Sequence, residues 1–159
     1  MAYAEPGPSA GRTEVRRTRN EDLAPIYEIL KAAPEAAVWS QESLRATVEG
    51  DSHYCLTAWQ DEAIVGFIGG RRVVDEGEIL NLAVAAPFRR QGVGTTLVEA
   101  LLNTFGREGV TRVFLEVRES NAGGAAFYSR LGFRRVGTRV NYYQQPDEAA
   151  LVLAMDVSR

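Results

Sequence analysis

The stretch Arg89-Arg90-Gln91-Gly92-Val93-Gly94 follows an apolar run, ILNLAVAAPF, and leads into TTLVEALLNTF, whose apolar spacing is helical. Two arginines and two glycines at a strand-to-helix junction suit a backbone shaped around an anion. Glycine lets the chain approach a ligand closely, and the N–H groups that open a helix have no partners within it. With the positive end of the helix dipole, they favour a phosphate or pyrophosphate. Two other phosphate loops are excluded by spacing. No Gly-Lys-Ser/Thr follows, and the third glycine of a dinucleotide fingerprint is replaced by Leu97. A glycine-containing surface turn is the plain alternative.

Carboxylates stand inside two apolar strands. Glu116 interrupts VFLEV, a pattern that predicts cover on both faces, where an ionisable group is costly unless paired or used. Its plain alternative is a strand-end carboxylate paired with one of the chain's arginines. Glu78 opens EILNLAVA, whose apolar residues fall on both parities and so also predict a strand covered on both faces. Beside it, Asp75 and Glu76 read as a solvated turn. Tyr128 falls in AAFYSRLGF, where Phe127 and Leu131 take the core positions and packing is its plain role. Tyr142 and Tyr143 stand in a long strand and either pack or shape a cleft. The single histidine, His53, has no partners at metal-ligand spacing, so no metal is expected. The single cysteine, Cys55, reads as core filling.

The elements that must position these residues are legible in order. EVRRTR alternates as a short strand. DLAPIYEILKAA places Leu23, Ile26, Tyr27 and Leu30 on one helical face, with Asp22 as N-cap and Pro25 in the first turn. WSQESLRATVEG reads as a second helix with Ser40 as N-cap, Trp39 and Leu44 at hydrophobic-staple spacing, and Gly50 as the stop. YCLTAWQ and AIVGFIGGRRVV form a hairpin about Asp61-Glu62, and Asp75-Glu76-Gly77 turns the chain into EILNLAVA. A helix over about 94–107 turns Leu97, Leu101, Leu102 and Phe105 inward, with Gly109 past its end. RVFLEV is a strand and AGGAAFYSRLG a helix closed by Gly132. Strands around FRRVGTRVNYY and AALVLAMDV end the chain. The order β-α-α-β-β-β-α-β-α-β-β predicts a mixed α/β sandwich.

Global properties narrow the class. The chain has 159 residues, 45% of them hydrophobic, with no break in composition, which predicts one domain over 13–159 behind a disordered tail over 1–12. Eighteen basic against 21 acidic residues give a net charge of −3, so a nucleic-acid surface is not expected. No apolar run predicts a membrane span. The opening MAYAEPGPSAGR lacks the order of a signal peptide, which leaves the cytoplasm as the expected location.

Arg89-x-x-Gly92-x-Gly94 after a strand resembles the acetyl-CoA pyrophosphate loop of the GNAT superfamily of N-acetyltransferases, and the element order is similar to that fold from about residue 13. EILNLAVAAPFRRQGVG, LEVRESNAGGAAFYSRLGF, NYY and the Trp39-Ser40 pair resemble more closely the bacterial ribosomal-protein-alanine N-acetyltransferases. The resemblance implies a mostly antiparallel sheet with helices on both faces and one splayed strand pair. It implies acetyl-CoA as co-substrate. Leu82, Ala83 and Val84 would bond the pantetheine arm through their backbone, Arg90, Gln91, Gly92, Val93, Gly94 and Thr95 would wrap the pyrophosphate, and Asn121 would touch the cofactor near the next helix.

Acetyl transfer needs a neutral amine, a polarised thioester and a proton for the departing thiolate. The resemblance places the base at Glu116 and the acid at Tyr128, with Glu78 the rival base at the position histone-type members use. It implies a protein N-terminal α-amine as acceptor, the N-terminal alanine of a small-subunit ribosomal protein first. A lysine or small-molecule amine is the same-fold alternative. A non-catalytic acyl-CoA sensor is the alternative of another class, and a generic nucleotide-binding module lies outside the fold.

Overall fold

The computed structural model describes residues 12–144 and 146–157. The tail expected over 1–12 lies outside the described residues except for Arg12. The elements follow the predicted order: β1 (Glu14–Arg17), α1 (Leu23–Ala32), α2 (Gln41–Glu49), β2 (His53–Gln60), β3 (Ala63–Val73), β4 (Glu76–Val84), α3 (Val93–Arg107), β5 (Arg112–Arg118), α4 (Ala122–Arg130), β6 (Arg134–Tyr143) and β7 (Glu148–Asp156). Short 3-10 turns cover Asn20–Asp22 and Ala86–Phe88.

The sheet runs β1-β2-β3-β4-β5-β7-β6, antiparallel throughout except for the parallel pair β4–β5. Leu97, Leu101 and Phe105 of α3 and Tyr128 of α4 bury one sheet face against Ile79, Val113, Leu115 and Leu153. Ile26 and Leu30 of α1 and Leu44 of α2 cover the other face against Cys55, Phe67 and Ala83, which belong to β2, β3 and β4. Trp39 packs into this second cluster with Leu44, edge-on to Phe67 at 6.2 Å, as the staple spacing predicts. The half of that face formed by β5, β7 and β6 supplies nothing to this cluster.

This asymmetry corrects the expectation for β5, while β4 is covered on both faces as expected. Along β5, Val113, Leu115 and Val117 are buried while Phe114 and Glu116 are only partly so. The strand is packed on one face, and Glu116 looks out of the other. In β4 a bulge sets which residues meet which helices. Gly69 pairs with Asn81 and Gly70 with Ile79, so Leu80 has no partner on β3. The extra residue reverses the alternation. Ile79, Leu82 and Val84 therefore join the α3 cluster, while Ala83 joins the α1–α2 cluster.

Local details also differ. Asp22 occupies the N-cap position of α1 as predicted but makes no side-chain cap bond there; its carboxylate accepts the Arg19 N–H at 2.8 Å, inside the preceding 3-10 turn. Ser40 caps α2 as predicted, accepting from Ser43 N. Gly50 ends α2 in extended backbone at φ −72°, and a Cβ there would lie 2.2 Å from His53 Nδ1. Its smallness serves close approach, not a left-handed stop. The β3–β4 turn is Val74-Asp75, one residue earlier than expected, with Val74 at φ 58°. Gly132 closes α4 at φ 106°, with Phe133 N–H reaching Tyr128 O at 3.0 Å.

Candidate active site

The sheet forks at its parallel pair. β4 and β5 are matched only at Glu76–Arg112, Gly77–Val113 and Glu78–Phe114, after which the ladder ends. The antiparallel pairing of β3 with β4 sets which β4 groups face the gap. Ala85 N–H bonds Val65 O at 2.8 Å, so by alternation Ala83 also directs its N–H and C=O at β3. Leu82 and Val84 face the fork. Of the three residues expected to offer backbone groups, the register presents these two and turns Ala83 away.

Two side chains tend this edge. Asn81, 5% exposed, accepts the Leu82 N–H at 3.1 Å and the Ala37 N–H at 3.0 Å through Oδ1, and donates from Nδ2 to Ala37 O at 3.1 Å. Arg89 donates from Nε to Val84 O at 3.2 Å and lies 3.5 Å from Glu35. The α1–α2 connection is thus tied to both fork-facing residues of β4. Leu82 O and Val84 N–H remain directed into the gap.

The loop below has the geometry its glycines predict, with one addition. Arg90 is left-handed at φ 62° and Gly92 at φ 82°, with Gln91 between them. Gly92 is the N-cap of α3, and the first intrahelical bond is Thr96 N–H to Gly92 O at 3.0 Å. The N–H groups of Val93, Gly94 and Thr95 precede it and point out of the helix start, where the dipole favours an anion. A Cβ at Gly92 meets open space, so its glycine is required by conformation. Gly94 differs: its Cβ position lies 3.4 Å from Phe127, and a small residue there lets α3 sit close to α4. Asn121 caps α4, its Oδ1 accepting from Gly124 N at 2.9 Å. Its Nδ2 makes no hydrogen bond among the described residues.

On the far side of the fork a cleft of about 340 Å³ is lined by Arg71, Val73, Glu78, Phe114, Glu116, Arg139 and neighbouring residues. Both candidate bases open into it. The Glu78 carboxylate pairs with Arg71 at 2.7 Å. Glu116, with 15% of its side chain exposed, forms an ion pair with Arg139, Nε lying 3.2 Å from Oε1, and accepts the Tyr142 hydroxyl at 3.1 Å on Oε2. Arg139 and Tyr142 are three positions apart and would face opposite sides of a regular strand. They converge because β6 bulges between Arg139 and Tyr143, with Asn141 left-handed at φ 56°. Burial first, then the Glu116 charge, raises the Tyr142 phenol above its ordinary value. Tyr143, stacked edge-on to Tyr142 at 5.0 Å and under Arg118 at 4.3 Å, is pushed up to about 12, mainly by burial.

Tyr128 lies on α4 in the α3-side core, between Phe127 and Phe133 with ring centroids 5.0 and 5.4 Å away. Burial raises its phenol well above 10, so at neutral pH it carries its proton. Its core packing is thus present, and its phenol is in the protonated form. Cys55 is buried, which pushes its thiol up to about 12 and leaves it an inert filler.

Arg71, Asn81 and Arg139 were missed by sequence reasoning, and Tyr142 was ranked low. The one signal within reach was Asn141: asparagine inside a strand tolerates the left-handed bulge that re-aims its neighbours. Among the described residues no group of three or more histidine, cysteine, aspartate or glutamate side chains is arranged to hold a metal ion. Among the same residues no helix is long and apolar enough to cross a membrane.

A forked sheet, a left-handed loop at a helix start and a carboxylate-lined cleft beside them define a class. The acetyltransferase (GNAT) family pattern matches residues 21–133, and the chain belongs to that family and is an N-acetyltransferase. The [ribosomal protein bS18]-alanine N-acetyltransferase of Escherichia coli strain K12 is 34% identical over 139 residues, 86% of this chain and 93% of the relative. A putative enzyme of the same description from Bacillus subtilis is 29% identical over 148 residues, 92% of this chain and 97% of its own. The crystal structure of the ribosomal-protein-S18-alanine N-acetyltransferase from Escherichia coli superposes with a TM-score of 0.85 at 31% identity, covering 93% of this chain and 96% of that one.

Proposed function

We propose that this enzyme transfers the acetyl group of acetyl-CoA to the N-terminal α-amine of a protein, the N-terminal alanine of ribosomal protein bS18 being the first candidate. The acceptor rests on the 34% identity to an enzyme of that description over most of both chains. The chemistry rests on one observation: Glu116 stands on β5 just beyond the last β4–β5 pair, in the cleft beside the fork.

The pyrophosphate lies on the N–H groups of Val93, Gly94 and Thr95, within the loop made by Arg90, Gln91 and Gly92. The pantetheine arm runs in the fork against Leu82 O and Val84 N–H, in place of a neighbouring strand. Ala83 stands between these two with its own backbone bonded to β3, and Asn121 reaches the arm from the start of α4. Glu116 takes the proton of the acceptor ammonium, directly or through a water. An α-amine suits a carboxylate base because its pKa, about 8, is far below that of lysine. The neutral amine attacks the thioester carbonyl, Tyr128 donates its proton to the departing thiolate, and the proton lost by the acylated nitrogen restores the phenol by way of solvent. Glu78, across the same cleft, is the auxiliary or rival base.

Incubating the protein and acetyl-CoA with peptides bearing a free N-terminal alanine, a blocked terminus plus lysine, or neither, followed by mass spectrometry, tests this reading. Acetylation confined to the α-amine is expected. Acetylation of lysine alone would move the acceptor class, and binding of acetyl-CoA without any transfer would make the protein a sensor.

A further inference from the structure

Each carboxylate of the cleft carries its own arginine, and the two pairs are unlike. Arg71 donates a hydrogen bond from Nη2 to Glu78 at 2.7 Å, while Arg139 Nε lies 3.2 Å from Glu116 as an ion pair without an aligned hydrogen bond. An arginine–carboxylate pair lacking that alignment is the weaker kind. The Arg139 side chain is 59% exposed and stands on β6, an edge strand that is exposed along most of its length. Such a pair is weakly held. Yet it means that an ammonium heading for Glu116 meets a carboxylate already matched by a cation. The other polar groups around Glu116 are the Tyr142 hydroxyl on β6 and, across the cleft, Glu78 of β4 with Arg71 of β3. Phe114 and Val152 are the apolar wall.

We infer that Arg139 is a placeholder cation, occupying the Glu116 carboxylate until the protonated α-amine of the acceptor displaces it. This rests on the reading of Glu116 as the base. The guanidinium has somewhere to go, since it already lies 5.6 Å from the Tyr142 ring, whose face attracts a cation. The exchange favours an acceptor that arrives charged and small enough to enter behind Arg139. It also leaves Tyr142 on Oε2 to hold the carboxylate in place while Oε1 changes partners. Arg139 is a positioning residue: it keeps its proton throughout, and the ammonium proton passes to Glu116 only after the exchange.

The test is steady-state acetylation of a short peptide with a free N-terminal alanine by the full chain. If Arg139 competes with the acceptor, Arg139→Gln and Arg139→Ala lower the peptide KM by up to about five-fold, the range an exposed ion pair allows. Acetyl-CoA affinity by calorimetry stays within about two-fold, and Arg139→Lys, which keeps the cation, restores the wild-type KM. Arg71→Gln gives no such fall. A peptide KM that is unchanged or raised in both Arg139 variants, with folding verified by thermal melting, overturns the placeholder and leaves Arg139 as an orienting group or none. A fall seen only for Arg71→Gln moves the exchange to Glu78 and overturns it equally. Glu116→Gln separates the two layers: near-wild-type turnover there overturns the base itself, whereas a crippled Glu116→Gln beside an unmoved KM in the Arg139 variants overturns the placeholder alone.

Discussion

The two sides of the fork are made of different material. The side assigned to acetyl-CoA is mostly backbone: Leu82 O and Val84 N–H along β4, then the N–H groups that open α3, placed by left-handed residues at Arg90 and Gly92. The side assigned to the acceptor is side chains drawn from four strands: Arg71 of β3, Glu78 of β4, Glu116 of β5, and Arg139 with Tyr142 of β6. Backbone recognition suits a ligand that never changes, because any residue with permitted dihedrals supplies the same N–H. Side-chain recognition can be revised one residue at a time, which suits a family whose acceptors differ. On this division, substitutions that matter on the first side alter conformation, and those that matter on the second alter chemistry.

Glu116→Gln is the largest expected break. It keeps the volume and the Tyr142 contact but removes the basic oxygen, and turnover falls by about 10² to 10⁴ with acetyl-CoA affinity kept. Glu78→Gln does less; a reversal of the two severities, measured at saturating acetyl-CoA, would exchange their roles. Tyr128→Phe comes next, with a loss toward the lower end of the same range, because a thiolate can depart unassisted, only more slowly. Since burial already holds this phenol above its ordinary 10, its ionisation imposes no alkaline limb near pH 10, unlike a solvent-exposed tyrosine. Wild-type turnover in Tyr128→Phe, with chemistry rate-limiting, would reduce the residue to packing.

Gly92→Ala sharpens the backbone side. Open space surrounds a Cβ there, so clash is not the cause of any loss; the φ of 82° is, at about 1–2 kcal/mol for an L residue. Acetyl-CoA at a hundred times its dissociation constant stabilises the wild type by roughly 2.7 kcal/mol. The variant, if its loop relaxes away, shows a smaller ligand-dependent rise in melting temperature. An equal rise in both would mean that loop conformation does not matter. Tyr142→Phe is milder: losing one partly exposed hydroxyl from Glu116 costs about ten-fold or less in kcat/KM.

The smallest effect is on stability at high pH. Cys55, pushed up to about 12 by burial from an ordinary 9, and Tyr128 both stay protonated in the native state when the unfolded chain ionises. The unfolded state then binds fewer protons, so stability falls as pH rises through the unfolded values. One unit above the ordinary value of 9, Cys55 alone accounts for roughly 1.4 kcal/mol. Urea midpoints at pH 8, 9 and 10 check the slope, and Cys55→Ala should flatten it.

The same division explains what the sequence made legible. Backbone devices are local: RRQGVG, Asn121 before its helix and Gly132 after it are read within a few residues, and each has the structural place expected of it. Every α-helix and strand was likewise visible in its periodicity. The acceptor side was legible only as isolated residues. Glu116 could be picked out as an odd charge in an apolar strand, but not its partners, because Arg139 and Tyr142 meet it through a β6 bulge that reverses the two-residue alternation. Leu80 hides β4 in the same manner, making a strand with two different faces read as one apolar run. Asn81 passed unnoticed because two of its three hydrogen bonds depend on the α1–α2 connection, 44 positions away at Ala37.

Leu80 also makes β4 a strand whose length is part of its meaning. Upstream of it, Glu78 shares the face of Asn81 and Ala83, and Ile79 that of Leu82 and Val84. A one-codon deletion of Leu80 removes only the extra residue: Ile79 and Asn81 keep their partners Gly70 and Gly69, and every flanking side chain keeps its face. A one-codon deletion of Leu82 has the opposite fate. It either exchanges the faces of Ala83 and Val84 or, if the bulge is lost to compensate, turns Asn81 away from Ala37 toward the α3 core. A deletion scan across β4 would therefore find Leu80 tolerated and Leu82 not, two codons apart.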